Sequence, residues 1–372
     1  MRRPALLALP LAALSLTAAV SVGAAQATGA AADARASTSS PLVFGHRGAS
    51  GYRPEHTLAA YDLAIRQGAD VVEPDLVPTK DGVLVARHEN EISGTTDVSA
   101  RPEYAQRRVT KLIDGVPVTG WFTEDFTLSE LRRLRAKERL PLVRQENTIL
   151  DGRYLVPTFD EVLALVKQAS RSTGRTIGVA PETKHPTYFD GIGLSLEEPL
   201  LRSLRAAGLT KAKSPVYVQS FEEANLRDLR ALGARVALVQ LTSAGPTARP
   251  YDHVVAGDPT TYAQMTTPAG LREIAQYADV LGPDKAQVLP RAADGTTSAP
   301  TTLVRDAHAA GLEVVPYTVR AENQFLPVQY RRGTDPNAYG DVLSELQDLF
   351  AAGVDGVFAD QPDLARMARD GS

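Results

Sequence analysis

Val216-Tyr217-Val218-Gln219-Ser220-Phe221-Glu222-Glu223-Ala224-Asn225-Leu226-Arg227-Asp228-Leu229-Arg230-Ala231-Leu232-Gly233-Ala234-Arg235-Val236-Ala237-Leu238-Val239 decides the fold of this chain. It holds a short apolar run, a helical pattern from Glu222 to Leu232, a Leu-Gly-Ala stop and a second apolar run from Val236. Strand, helix, strand is the repeating unit of a parallel sheet. The unit recurs on both sides. Upstream stand Leu42-Val43-Phe44, Val71-Val72 and Ile177-Gly178-Val179-Ala180, and downstream stand Asp279-Val280-Leu281, Val314-Val315 and Val357-Phe358. Helical patterns lie between them, at Thr57 to Gln67, Ser195 to Ala207, Pro268 to Tyr277, Thr301 to Ala310 and Asp341 to Ala352. Ala-Gly and Gly-Ala pairs such as Gly68-Ala69, Ala207-Gly208 and Ala352-Gly353 read as helix stops, not ligand sites. Eight strands alternating with helices predict an α/β protein with a closed (β/α)8 TIM barrel. The alternative, an open doubly wound sheet, would carry a glycine-rich dinucleotide loop, and the sequence has none.

The amino terminus reads differently. Met1-Arg2-Arg3, an apolar stretch from Ala5 to Val22 and the small-residue site Ala25-Gln26-Ala27 form a secretory signal peptide over residues 1–27. Residues 28–40 are small and polar, a disordered tether, and the expected barrel domain runs over 41–368. No other apolar run is long enough to span a membrane, so stable membrane insertion is not expected of a secreted, extracytoplasmic protein. The chain has no cysteine, which excludes disulfides, thiolate metal sites and a cysteine nucleophile. A net charge of −4 gives no reason to expect a nucleic-acid partner. From about 90 to 154 the chain is mixed and charged, too long for an ordinary connection, and is expected to form a small inserted subdomain over one rim of the barrel. Within it a helix is expected over Ser129 to Arg135, and the basic run from Arg132 to Arg139 reads as a solvated helix face.

Chemistry concentrates early in the chain. Asp70-Val71-Val72-Glu73-Pro74-Asp75-Leu76-Val77-Pro78-Thr79 alternates so that Glu73 and Asp75 share one face. A two-residue Asp81-Gly82 hairpin loop would then pair Lys80 with Val83 and set His88 opposite Asp75. Active sites of such barrels sit at the carboxyl ends of the strands, where His46-Arg47, Glu73, Asp75 and, after Ile177 to Pro181, Glu182 all fall. Glu73, Asp75 and Glu182 are candidate ligands for one hard divalent cation, Ca2+ favoured over Mg2+. His46 and His88 suit proton transfer, one as base and one as acid. Arg47 and Lys184 are the cations placed for phosphoryl oxygens. His56, His185, His253 and His308 read as structural or solvent-facing, with His56 and His185 adjoining motif residues.

In order along the chain, Gly45-His46-Arg47-Gly48-Ala49, Pro54-Glu55-His56-Thr57, Glu73-Pro74-Asp75, His88, Pro181-Glu182-Thr183-Lys184, Gln219-Ser220-Phe221 and Gly353 to Pro362 together resemble the glycerophosphodiester phosphodiesterase family, in its secreted or periplasmic form. The resemblance implies metal-dependent hydrolysis of deacylated phospholipids to sn-glycerol 3-phosphate and an alcohol. Matched motif by motif, it makes His46 and His88 the acid–base pair, Glu73, Asp75 and Glu182 the metal ligands, and Arg47 and Lys184 the phosphate contacts. The neighbouring glycerol hydroxyl would attack phosphorus, giving a cyclic phosphate that water then opens. Three departures stand out: His56 replaces the usual asparagine, Pro74 separates the two acids where an aliphatic residue is usual, and Tyr317-Thr318-Val319 stands where a tryptophan commonly leads. The alternatives are a phospholipase C-like or sphingomyelinase D-like enzyme acting on intact lipid, and a hydrolase of glycerol-phosphate teichoic acid. The lipid enzymes would show an apolar membrane-facing loop, for which Trp121-Phe122 is the one seed, read otherwise as a core for the insertion.

Overall fold

The computed structural model describes residues 40–371, so the signal-peptide and tether readings lie outside the described residues apart from Ser40. All eight expected strands are present, at Leu42–Gly45, Val71–Val72, Gly178–Val179, Tyr217–Ser220, Ala237–Thr242, Val280–Pro283, Glu313–Val314 and Gly356–Ala359. Leu42–Gly45 pairs in parallel with Gly356–Ala359 on one side and with Val71–Val72 on the other. Val71–Val72 continues to Gly178–Val179, and a parallel bridge from Val179 to Val216 carries the ring into Tyr217–Ser220 and its successors. A bridge between Val319 and Ala359 closes it. The result is a TIM barrel.

Two apolar layers hold the ring. Phe44, Val71, Val239, Leu241, Val280 and Phe358 fill its interior, where the Phe44 and Phe358 rings meet in a tilted contact with centroids 4.7 Å apart. A larger layer lies between strands and helices, drawn from residues such as Val43, Leu200, Leu226, Leu271 and Leu346. Helices start and stop on local chemistry. Thr57 caps Leu58–Gln67 by accepting from the Ala60 amide, and Gly68, at φ 99°, ends it in the left-handed conformation an αL cap needs. The longest helix among the described residues, Phe159–Thr173, lies outside the expected set; a reciprocal Thr158–Glu161 capping box opens it.

Two strands break where the site forms. Pro74 lies between Val71–Val72 and Asp75–Pro78, and Ala180-Pro181 lies between Gly178–Val179 and Glu182–Thr183. Proline has no amide to donate, yet the parallel ladder runs on across each gap: the Ala180, Glu182 and Lys184 amides donate to the carbonyls of Val72, Pro74 and Leu76 at 2.9, 3.1 and 3.1 Å. The second halves keep the same neighbours in the same register, Asp75 with Glu182 and Glu182 with Gln219, while the other edge of Asp75–Pro78 exchanges the first strand for the antiparallel arm Leu84–Ala86.

That hairpin corrects the expected register. Pro78 pairs with Leu84 and Leu76 with Ala86, so Arg87, not His88, stands opposite Asp75 and donates its amide to the Asp75 carbonyl at 2.9 Å. The turn is longer than two residues because the Thr79 hydroxyl accepts from the Val83 amide at 3.1 Å and donates to Asp81 at 2.6 Å. Lys80, Asp81 and Gly82 therefore form a three-residue loop with Gly82 at φ 74°. His88 lies past the strand in a bend, so the ladder does not set its direction.

Between 90 and 154 the structure holds a hairpin, Val109–Ile113 with Val116–Gly120, and several short helical turns. The helix expected over Ser129 to Arg135 is a single turn, Leu128–Leu131. It ends early because the Arg135 guanidinium binds the carbonyls of Arg132 and Leu134, and the Arg135 amide binds Asp97. The basic run is thus not a helix face, and Arg139 reaches a buried carboxylate at the barrel rim. Trp121 and Phe122 are buried, with the Trp121 indole donating to the Tyr104 carbonyl at 2.7 Å.

Candidate active site

The His46-Arg47-Gly48 turn follows the first strand. Its His46 amide donates to the Ala359 carbonyl at 3.0 Å, tying it to the last strand. Arg47 and Gly48 both have positive φ, and a Cβ at Gly48 would fall 2.6 Å from the Ala60 backbone. The turn can lie against the helix only with glycine there. It directs the Arg47 amide onto Glu73 Oε2 at 3.0 Å.

Glu73, Asp75 and Glu182 are buried and present oxygens within 4.8 Å of one another. Each is held separately. Gln219 donates to Glu73 at 2.9 Å, His56 Nε2 donates to Asp75 at 3.0 Å, and Lys184 donates to Glu182 at 2.8 Å. Asp75 Oδ1 is buried with no partner among the described residues. Burial and the neighbouring acids Asp75 and Glu182 raise Glu73 well above the usual carboxylate range. Burial also raises Glu182, to about 7, although Lys184 opposes it. Asp75 goes the other way: His56 and Arg47 overcome the effect of burial and hold it well below its ordinary value. Three clustered carboxylates with an unpaired oxygen, and no sulfur or imidazole among them, fit a hard divalent cation.

Both imidazoles face this cluster and are anchored from behind. His46 Nδ1 lies 2.5 Å from Asp360 Oδ1, which places the proton on Nδ1 and leaves Nε2 toward Thr318 at 3.4 Å and Glu73 at 3.9 Å. Burial alone would raise Asp360, but Arg144, Arg320 and His46 hold it well below the usual range. His88 repeats the pattern: Nδ1 is 2.7 Å from Glu89 Oε1, and Nε2 is 3.3 Å from the Lys184 ammonium. Burial and the Arg47 cation lower His46 to about 4; burial, Arg47 and Lys184 lower His88 to about 3. Arg47 bonds both oxygens of Glu55 at 3.2 Å, and Arg139 shares that carboxylate at 2.7 Å.

All seven candidate residues therefore meet at one rim. Five of them, His46, Arg47, Glu73, His88 and Glu182, line a cavity of about 120 Å³ together with Arg320 and others. A second cavity of about 340 Å³, reaching Tyr251 and Tyr262, shares Glu182 and Phe221 with it. A groove of about 390 Å³ lined by Leu163, Arg171 and Ile177 lies at the opposite ends of the strands and holds none of this chemistry.

Other residues at the site escape sequence reasoning. His56 is fully buried between Tyr61 and Asp75 and is not solvent-facing. Its ring N–H serves where an amide donor of asparagine would. Asp360, Glu55 and Gln219 lie inside quoted motifs but show their roles only through partners. Arg144 carries no local signal at all: from the 90–154 segment it binds Glu322 at 2.7 Å, the Ser50 carbonyl at 3.0 Å and Asp360.

A parallel barrel whose carboxyl rim joins clustered carboxylates, two anchored imidazoles and two cations defines the class of phosphoric diester hydrolases. The glycerophosphoryl diester phosphodiesterase family model matches residues 46–364. A glycerophosphodiester phosphodiesterase of Arabidopsis thaliana is 34% identical over 337 residues, covering 87% of this chain and 84% of that one. One of Haemophilus influenzae is 30% identical over 345 residues, covering 87% and 88%. Among solved structures, an Oleispira antarctica phosphodiesterase in complex with the product sn-glycerol 3-phosphate superimposes with a TM-score of 0.58 at 22% identity, covering 89% of this chain and 97% of that one. A glycerophosphodiester phosphodiesterase from Agrobacterium tumefaciens does so at 0.54 and 19%, covering 87% and 98%. The chain belongs to the glycerophosphoryl diester phosphodiesterase family.

Proposed function

We propose that this chain hydrolyses glycerophosphodiesters to sn-glycerol 3-phosphate and an alcohol, with a divalent cation held by Glu73, Asp75 and Glu182. The observation that carries this reading is the clustering of those three carboxylates at a cavity lined by Glu73, Glu182 and two carboxylate-anchored imidazoles. The product bound by the Oleispira enzyme names the corresponding half of the substrate. A bound cation would supply Lewis-acid stabilisation of charge on the phosphoryl oxygens. The protein's own groups do the rest. Arg47 and Lys184 orient the phosphate and absorb its charge, Arg47 through planar donors and Lys184 through its ammonium. One imidazole takes the proton of the glycerol hydroxyl next to the phosphate as that oxygen attacks phosphorus. The other delivers a proton to the departing alkoxide, and the same pair exchanges roles when water opens the cyclic phosphate. Asp360 and Glu89 keep a proton on each Nδ1, so each Nε2 is the working atom, bare on the imidazole acting as base and protonated on the one acting as acid.

The test is a panel of glycerophosphocholine, glycerophosphoethanolamine and the corresponding intact diacyl lipids, with coupled detection of glycerol 3-phosphate. Turnover of the deacylated compounds with release of glycerol 3-phosphate is expected. Preference for the intact lipids, with acylated product, would move the chain to a lipase reading.

A further inference from the structure

His185 sits on the outer side of the site, three positions beyond Glu182, and both of its nitrogens face carboxylates. Nδ1 is 2.6 Å from Asp114 Oδ2 and Nε2 is 3.0 Å from Glu89 Oε2. A carboxylate only accepts, so both ring nitrogens carry protons and His185 is an imidazolium. Consistently, Asp114 and Glu89 outweigh burial and raise it to about 9. The other oxygen of Glu89 takes His88 Nδ1 at 2.7 Å. The chain of contacts is therefore continuous from Asp114 through His185 and Glu89 to His88. Its outer end lies on the 90–154 segment: Asp114 and Gly115 form the two-residue turn of the hairpin Val109–Ile113 and Val116–Gly120, with φ 47° and 78°. A Cβ at Gly115 would meet the Tyr251 ring at 3.6 Å, so the exposed hairpin tip reaches the wall of the larger cavity. Glu89 itself is exposed and would otherwise have many rotamers available; the imidazolium holds it in the one that reaches His88.

We infer that Asp114, His185 and Glu89 form a positioning relay through which the inserted hairpin fixes the tautomer and orientation of His88. The inference rests on the reading of His88 as a proton-transfer group. On the opposite wall Arg144, from the same segment, holds Asp360 behind His46, so the insertion steadies both imidazoles. Asp114 and His185 are positioning residues, acting on the reaction only through Glu89.

Steady-state kinetics on glycerophosphocholine at saturating metal test this in Asp114→Asn, Glu89→Gln and the double variant. Each single change is expected to lower kcat by about 10-fold, the usual effect of losing an outer partner of a working histidine. KM should stay within about 2-fold, because the relay acts on proton transfer rather than on binding. The double variant should be no slower than Glu89→Gln alone, since both changes cut one path. His185→Asn severs the link without touching the hairpin turn and should match Asp114→Asn, which keeps the test valid if the turn variant folds poorly. Unchanged kcat in Glu89→Gln, a double variant as slow as the product of the singles, or a rise in KM at constant kcat would each overturn the relay. Absence of any turnover by the unmodified protein would instead reject the proposed function itself.

Discussion

His46→Asn should lower kcat on glycerophosphocholine by about 10³-fold, within the range lost when a positioned acid or base is removed, while the fold and metal content stay intact. His46 is 6% exposed, its Nδ1 tied to Asp360 and its Nε2 turned toward Thr318 and Glu73. Arg144 and Arg320 hold Asp360 independently of His46, so the anchor survives the change. Asparagine keeps a polar group against Asp360 but cannot exchange a proton with substrate near neutral pH. Steady-state kinetics with metal analysis and a thermal melt on the same preparation check this. A variant within about 3-fold of the parent would remove His46 from proton transfer, given that such roles carry at least about 10²-fold.

The second large effect belongs to the substrate. A glycerophosphocholine analogue lacking the hydroxyl next to the phosphate should turn over at least about 10³-fold more slowly, because a tethered nucleophile can be worth an effective concentration of about 10⁵ M or more. Binding should change little, since Arg47 and Lys184 read the phosphate rather than that hydroxyl. Product analysis by phosphorus NMR would show a cyclic phosphate with the normal substrate and none with the analogue. Normal turnover of the analogue would rule out the cyclic route and leave direct attack by water.

The barrel is legible in the sequence because each strand is a short apolar run standing before a helical pattern, and the carboxyl ends of those runs carry the three acids and His46. What stays hidden depends on side chains meeting across distance. The hairpin register slips by one because the Thr79 hydroxyl, which no hydrophobic pattern reports, closes a longer turn. The hairpin over 109–120 escapes notice because Val109, Leu112 and Val116 are exposed and give no buried face; Asp114-Gly115 between β-prone runs is the signal that could have found it. Arg144 and Arg139 read as ordinary surface cations until the fold brings Asp360 and Glu55 to them. His56 reads as a departure from a motif, and only its bond to Asp75 shows that an imidazole does the work of an amide.

The central claim is that Glu73, Asp75 and Glu182 bind a divalent cation without which the imidazoles cannot cleave the phosphodiester. Release of glycerol 3-phosphate from glycerophosphocholine, measured after exhaustive chelation and then during titration with Ca2+ or Mg2+, tests it most directly. Activity is expected to be lost on chelation, to return with one of the two ions, and not to return in Glu182→Gln. Full activity in the chelated protein would contradict it.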